Sequence, residues 1–223
     1  GGADSGRGVV AGGGAGPAAG RLVVPTRAHG DATGGIRGGG AAELGRVRGE
    51  AAAGCDAVGC TAPGVPVMLC FADCVPVVLV APGAFAVVHS GWRGTLAGIA
   101  GRALGVLCDE AGCGADQVVA YLGPHISGDD HEVSPALLGR FEGEFGRIVR
   151  RGASNLDLAS AITRTLVTHG VRPCHVLDSK ISTASNLARF YSYRAEGGAC
   201  GRHGAVAFLP SPRSSSSPRS PSR

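Results

Sequence analysis

Three short segments carry side chains able to do chemistry together. Thr26-Arg27-Ala28-His29-Gly30 offers an imidazole, and Phe71-Ala72-Asp73-Cys74 offers a thiol. His89-Ser90-Gly91-Trp92-Arg93-Gly94 offers a second imidazole followed by a guanidinium. Each reactive group ends a short apolar run, where strands open onto loops and sites are commonly built. Cys74 and His89 lie fifteen residues apart, flanking a strand–turn–strand unit that returns the chain close to its start. One thiolate and two imidazoles make a sensible catalytic metal set. They suit zinc and leave a fourth position for water, whose pKa a bound ion lowers to about 7. The same donors accept copper, so spacing leaves the metal open. Each residue also has a plainer reading. A cysteine in an apolar run is usually a small core residue, which suits Cys70 well. A histidine at a strand end is often a hydrogen-bonded structural group. Without a metal, Cys74 as nucleophile and His89 as base would make a Cys–His hydrolase.

The elements that must position these groups follow from hydrophobic periodicity. Leu22-Val23-Val24, ended by Pro25, reads as a strand leading to His29. Residues 30–49 are rich in Gly and Arg and read as an irregular loop. Val65–Phe71, Val75–Val80 and Ala84–His89 read as buried strands, the last two joined by a Pro82-Gly83 turn. Gly94–Ala111 has apolar residues at helical spacing and Gly112 placed to end it. Val118–Leu122 is a further strand. Pro135–Val149 reads as a helix with Leu137, Leu138, Phe141, Phe145 and Ile148 on one face. Asn155 is placed to cap a helix reaching His169, and Cys174–Leu177 and Ala205–Leu209 read as strands. The fold class expected is mixed α/β or α+β with a mixed sheet, in one domain.

Composition narrows the function classes. The 223 residues are 44% hydrophobic but 4% aromatic, so the core must be built mainly from Val, Leu, Ile and Ala. Net charge is +4, and Arg213, Arg219 and Arg223 in the last thirteen residues supply three of those charges. The remaining +1 argues against nucleic acid as partner. Residues 1–20 are low-complexity Gly/Ala and residues 211–223 a Ser/Pro/Arg tail, both expected to be disordered around a catalytic domain at 21–210. The chain starts at Gly1 rather than Met, which predicts a fragment or a processed product. No secretory signal or apolar run of membrane-spanning length appears, so the eight cysteines are expected as reduced thiols of a cytoplasmic protein.

The wording of the segments adds a resemblance. Phe71-Ala72-Asp73-Cys74-Val75-Pro76-Val77 resembles the T-A-D-C-x-P-V motif of the YfiH/laccase-domain family, and Val88–Gly94 resembles its V-H-A-G-W-R-G. Leu122-Gly123-Pro124-His125-Ile126 with Glu132-Val133 is similar to L-G-P-x-I…Y-E-V. Phe190–Arg194 with Gly201-Arg202 is similar to F-F-S-Y-R…G-R, and Thr26–Gly30 to Q-V-H-G. The resemblance runs in order over roughly residues 21–210. It implies packed mixed sheets flanked by helices, and His29, Cys74 and His89 as ligands of zinc or copper. It also implies purine nucleosides and phosphate as substrates. The activities would be purine nucleoside phosphorylase, adenosine deaminase and methylthioadenosine phosphorylase. Phosphorolysis needs cations to hold phosphate, and Arg93 and Arg194 are the candidates. His125 and Glu132 are candidates for proton transfer, and Gly123 for the substrate pocket. A monomer or homodimer is expected.

The sequence also departs from the family pattern. The family's C-C-Y-E-V stands here as Asp129-Asp130-His131-Glu132-Val133, and its C-T-x-C as Ser182-Thr183-Ala184-Ser185. An N-terminal R-x-G-G-V-S segment is not found in residues 1–20. These departures keep an inactive nucleoside-binding homologue among the readings. A copper polyphenol oxidase is another, but four coppers need many His in H-x-H pairs, and the seven His here form none.

Overall fold

The computed structural model describes residues 7–9, 33–37 and 55–211. His29 and the strand expected at residues 22–24 lie outside the described residues, as does the 212–223 tail. Helices lie on one face of a six-stranded sheet, and a three-stranded sheet lies on the other.

Strands β1 (Arg7–Val9), β2 (Thr33–Ile36), β3 (Ala57–Cys60), β4 (Val67–Phe71), β5 (Val75–Ala81) and β6 (Ala84–Ser90) come first. Helices α1 (Trp92–Leu96) and α2 (Ile99–Ala111) follow, then β7 (Val119–Leu122) and α3 (Pro135–Phe145). The chain continues through β8 (Arg150–Arg151), β9 (Asn155–Leu156), α4 (Leu158–Thr168), β10 (Val176–Asp178) and β11 (His203–Ala207). The large sheet has the order β10-β7-β5-β6-β3-β2 and the small one β1-β11-β4. The β5–β6 hairpin and its neighbours β3 and β7 are antiparallel, whereas β2 and β10 pair parallel at the two edges.

Side-chain alternation along β6 explains both cores. Ala84, Ala86 and Val88 pack with the helices, while Phe85 and Val87 face the small sheet. The period of two then sends His89 to the small-sheet side, where its ring lies 5.3 Å from that of Phe71. Between the helices and the sheet, Leu104 and Leu107 of α2, Leu138 and Phe141 of α3, and Ile162 and Leu166 of α4 share one core. β6 is buried on both faces throughout and β5 over most of its length, which is why they read as continuous apolar runs.

Several local expectations change. Residues 33–36, within the stretch read as irregular loop, form edge strand β2. Arg7–Val9, within the low-complexity stretch, pairs with β11. The helix expected from Gly94 is two helices broken at Gly98, whose φ of +74° is left-handed. The Pro135 helix stops at Gly146, and Ile148, placed on its apolar face by periodicity, is exposed in a separate 3-10 turn. Asp157 rather than Asn155 caps α4, accepting a hydrogen bond from the Ser160 amide at 2.9 Å.

Candidate functional site

Cys74 sits at the corner between β4 and β5, and His89 lies near the end of β6, beside Pro76 in the β5–β6 register. The hairpin therefore brings the two reactive side chains to one end of the sheet. They line a cavity of about 320 Å³ together with Asp56, Ala72, Gly91, Trp92, Arg93, Gly94, Tyr193 and Arg202. Cys74, His89 and Arg93, all anticipated from spacing and motif, converge here.

Asp56 clasps His89 twice. Its carbonyl accepts from the His89 amide at 2.6 Å, and its carboxylate lies 3.1 Å from His89 Nδ1. Both residues are buried, Asp56 completely. With Nδ1 committed to the carboxylate, the ring orientation is fixed and Nε2 becomes the functional nitrogen. Burial pulls the imidazole pKa down, but hydrogen bonds to Asp56 and Cys74 overcome that and hold it up to about 9. Gly91 makes the close approach feasible: a Cβ there would lie 2.8 Å from Cys74 Sγ. Arg93 lies over the Trp92 ring at 4.2 Å, a cation–π contact that holds the guanidinium beside the cavity. Arg202 hydrogen-bonds the Cys200 and Gly201 carbonyls.

Other anticipated residues lie elsewhere. Gly123 packs on Pro76 and bonds its carbonyl. His125 is buried, with Nδ1 2.8 Å from the Gly123 carbonyl. Exposed Glu132 bridges to Asn155 through backbone. Arg194 spends its guanidinium on the Glu132 carbonyl and its amide on Asp73. None of these four lines the cavity. Asp56, Tyr193 and Arg202 do, and were not singled out as site residues. Asp56 left one signal, an acid inside the apolar stretch Cys55–Val58. Tyr193 and Arg202 stood in quoted motifs, but their distance from Cys74 along the chain concealed the contact.

Thiolate and imidazole donors side by side suit a borderline-soft metal ion, and the Gly91 cradle leaves room around the sulfur. The described residues contain no set of three or more His, Cys, Asp or Glu arranged to hold one.

Solved structures share this fold. The crystal structure of YlmD from Geobacillus stearothermophilus superposes with a TM-score of 0.76 at 27% identity, covering 86% of this chain and 74% of that one. The YfiH protein of Bacillus licheniformis shares the fold with a TM-score of 0.75 at 23% identity, over 85% of this chain and 74% of that one. The fold is thus α+β and YfiH-like. The chain belongs to the multi-copper polyphenol oxidoreductase laccase family, whose model matches residues 13–210. A purine nucleoside phosphorylase of Deinococcus radiodurans is 34% identical over 161 residues, 70% of this chain and 61% of that protein. Adenosine deaminase RL5, from an unknown prokaryotic organism, is 33% identical over 158 residues, 67% of this chain and 60% of that protein. The chain therefore spans about 60% of the length of these two curated relatives. No helix among the described residues is long and apolar enough to cross a membrane.

Proposed function

We propose that this chain is a metal-dependent purine nucleoside phosphorylase acting in the Cys74–His89 cavity. The observation that carries this reading is the convergence of Cys74, His89, Arg93, Tyr193 and Arg202 on one cavity of about 320 Å³. That volume falls in the range of small-molecule sites. Arg93 and Arg202 supply planar cationic forks suited to phosphate, a role in which Arg202 replaces Arg194. The half-exposed Tyr193 ring offers a face on which a purine can stack. Phosphate attacks the ribose C1′ as the base leaves, and the two guanidiniums hold the nucleophile's charge close to that carbon. Cys74 and His89, with His29 as the third donor, would hold zinc or copper, which supplies Lewis-acid polarisation and activation of water. Activated water is what deamination of adenosine requires, in line with the deaminase relative, and methylthioadenosine is a further substrate of the same site. His89, fixed by Asp56, keeps its ring on the cavity side for either reaction.

The test is conversion of adenosine and inosine with and without phosphate, with products and metal content measured together. Phosphate-dependent release of free base and ribose 1-phosphate is expected from the chain. Cys74→Ala should abolish it while leaving the thermal unfolding transition in place. Full phosphorolysis by Cys74→Ala would refute the site. A second reading rests on the Asp56–His89–Cys74 relay, which has the order of a metal-free cysteine hydrolase. Loss of activity on treatment with a chelator, restored by zinc, excludes that reading.

A further inference from the structure

We propose that Asp73 is a positioning residue that sets Cys74 on one wall of the cavity and Tyr193 on another. The proposal deepens the phosphorolysis reading above and rests on it. Asp73 lies at the β4–β5 corner with φ of +84°, a left-handed conformation rare outside glycine. Aspartate tolerates that region because its short polar side chain can bond locally, and here long-range bonds hold it. Its carbonyl accepts from the Ile126 amide at 3.0 Å. One carboxylate oxygen accepts from the Thr183 hydroxyl at 2.7 Å, and the other from the Arg194 amide at 2.7 Å. Three segments distant in sequence therefore converge on one buried residue. Strained backbone held by over-determined contacts is characteristic of functional sites.

Asp73 itself does not line the cavity, but both of its neighbours, Ala72 and Cys74, do. The left-handed turn sets the direction in which Cys74 leaves the corner. The Arg194 amide bond anchors a turn whose exposed outer residue is Tyr193. That turn is closed on itself by the Ser192 amide donating to Glu196 and by the Gly198 amide donating to the Tyr193 carbonyl. Within it the Tyr193 ring rests against Gly198, where a Cβ would meet the ring at 3.3 Å. The turn is thus rigid internally, and Asp73 fixes it relative to Cys74. Thr183, whose amide bonds the His125 carbonyl, steadies the same carboxylate from behind.

Two variants separate geometry from charge. In Asp73→Asn the amide oxygen can accept from Arg194, and the amide nitrogen can donate to the Thr183 hydroxyl, which rotates to suit. Asparagine also tolerates the left-handed region. In Asp73→Ala both ties are lost. We expect Asp73→Ala to lose about 100-fold in kcat/KM for nucleoside, the scale of a misplaced catalytic group. The loss should include a rise in KM, from the displaced Tyr193 face. Asp73→Asn should restore most of it. The rate of Cys74 alkylation by iodoacetamide, read by peptide mass mapping, should change in Asp73→Ala and return toward wild type in Asp73→Asn. This second measurement needs no nucleoside. If wild type fails to turn over any nucleoside, the functional reading falls while the alkylation rates still decide the positioning role. An Asp73→Asn variant as impaired as Asp73→Ala would assign the carboxylate a charge role and overturn the proposal. So would an Asp73→Ala variant equal to wild type in both measurements. Should Asp73→Ala not fold, Thr183→Val, which removes one tie, must show a smaller shift in the same direction, and no shift overturns the proposal.

Discussion

Gly91 stands where a side chain would strike the Cys74 sulfur, so the site depends on a residue that contributes no functional group. A Cβ there would lie 2.8 Å from Sγ and 3.9 Å from His89 Cε1. Gly91→Ala should therefore displace the thiol and reduce kcat/KM by roughly 10- to 100-fold. The unfolding midpoint should move little, because Gly91 is part-exposed with extended backbone that alanine adopts readily. Asp56 acts on the other partner. Asp56→Ala leaves His89 buried without its carboxylate, and loss of such an orienting group typically costs 10- to 100-fold in metal affinity or activity. Steady-state kinetics beside zinc titration of the purified variant checks this. Retention of both wild-type values would show that His89 needs no such support.

At the scale of elements, the sequence located the β5–β6 hairpin and the reactive groups at its end because both cores press on it. Val75–Val80 and Ala84–Val88 are apolar throughout, and no competing pattern exists. β2 and β3 escaped for the opposite reason. Thr33-Gly34-Gly35-Ile36 has little side-chain pattern of its own and is a strand because β3 pairs with it. Tyr193 reaches the cavity through a turn tied to Asp73, and Arg202 through the pairing of β11 with β4, long-range contacts that periodicity does not register. The two stretches that depart from the family pattern meet in space. Asp130 accepts hydrogen bonds from Ser127 and Ser185 at 2.8 Å each, and from Ser182. Hydroxyls around a carboxylate thus stand where the family pattern has cysteines, and the Ser182 and Ser185 bonds, ahead of that from Ser127, hold the Asp130 pKa below its ordinary value. Asp130→Ala should destabilise the fold by about 1.5–3 kcal/mol, the range for hydrogen bonds to a charged group. Chemical denaturation of this variant, of the triple Ser127/Ser182/Ser185→Ala chain and of the two combined should give overlapping losses, since each deletes the same knot. Strictly additive losses would show that the bonds are independent.

For the whole molecule, the packing of the small sheet against the rest sets a limit in acid. His203 at the start of β11 is 3% exposed, with its ring 5.4 Å from Phe190 and 6.3 Å from Phe71. Neither ring nitrogen makes a hydrogen bond of normal geometry. Burial pushes its pKa below the ordinary 6.5, with the Pro124 carbonyl and Asp73 opposing and Arg202 adding to the depression. His131 is likewise lowered by burial, against the Leu156 carbonyl and Asp73, with Arg194 and His125 assisting. Both rings bind protons more weakly folded than unfolded, so acid favours the unfolded chain. Their contribution is complete above about pH 6.5 and is lost as pH falls below it. His89 does not counter this, because its raised pKa of about 9 gives a contribution that disappears only as pH rises. Unfolding free energy measured in denaturant should therefore decline as pH drops from about 6.5, before the carboxylates titrate. His203→Leu fills the same apolar slot without a titrating group and should flatten that decline. If His203→Leu follows the wild-type curve in this range while His131→Leu flattens it, the acid limit lies at His131 beside β9, and the small sheet does not set it.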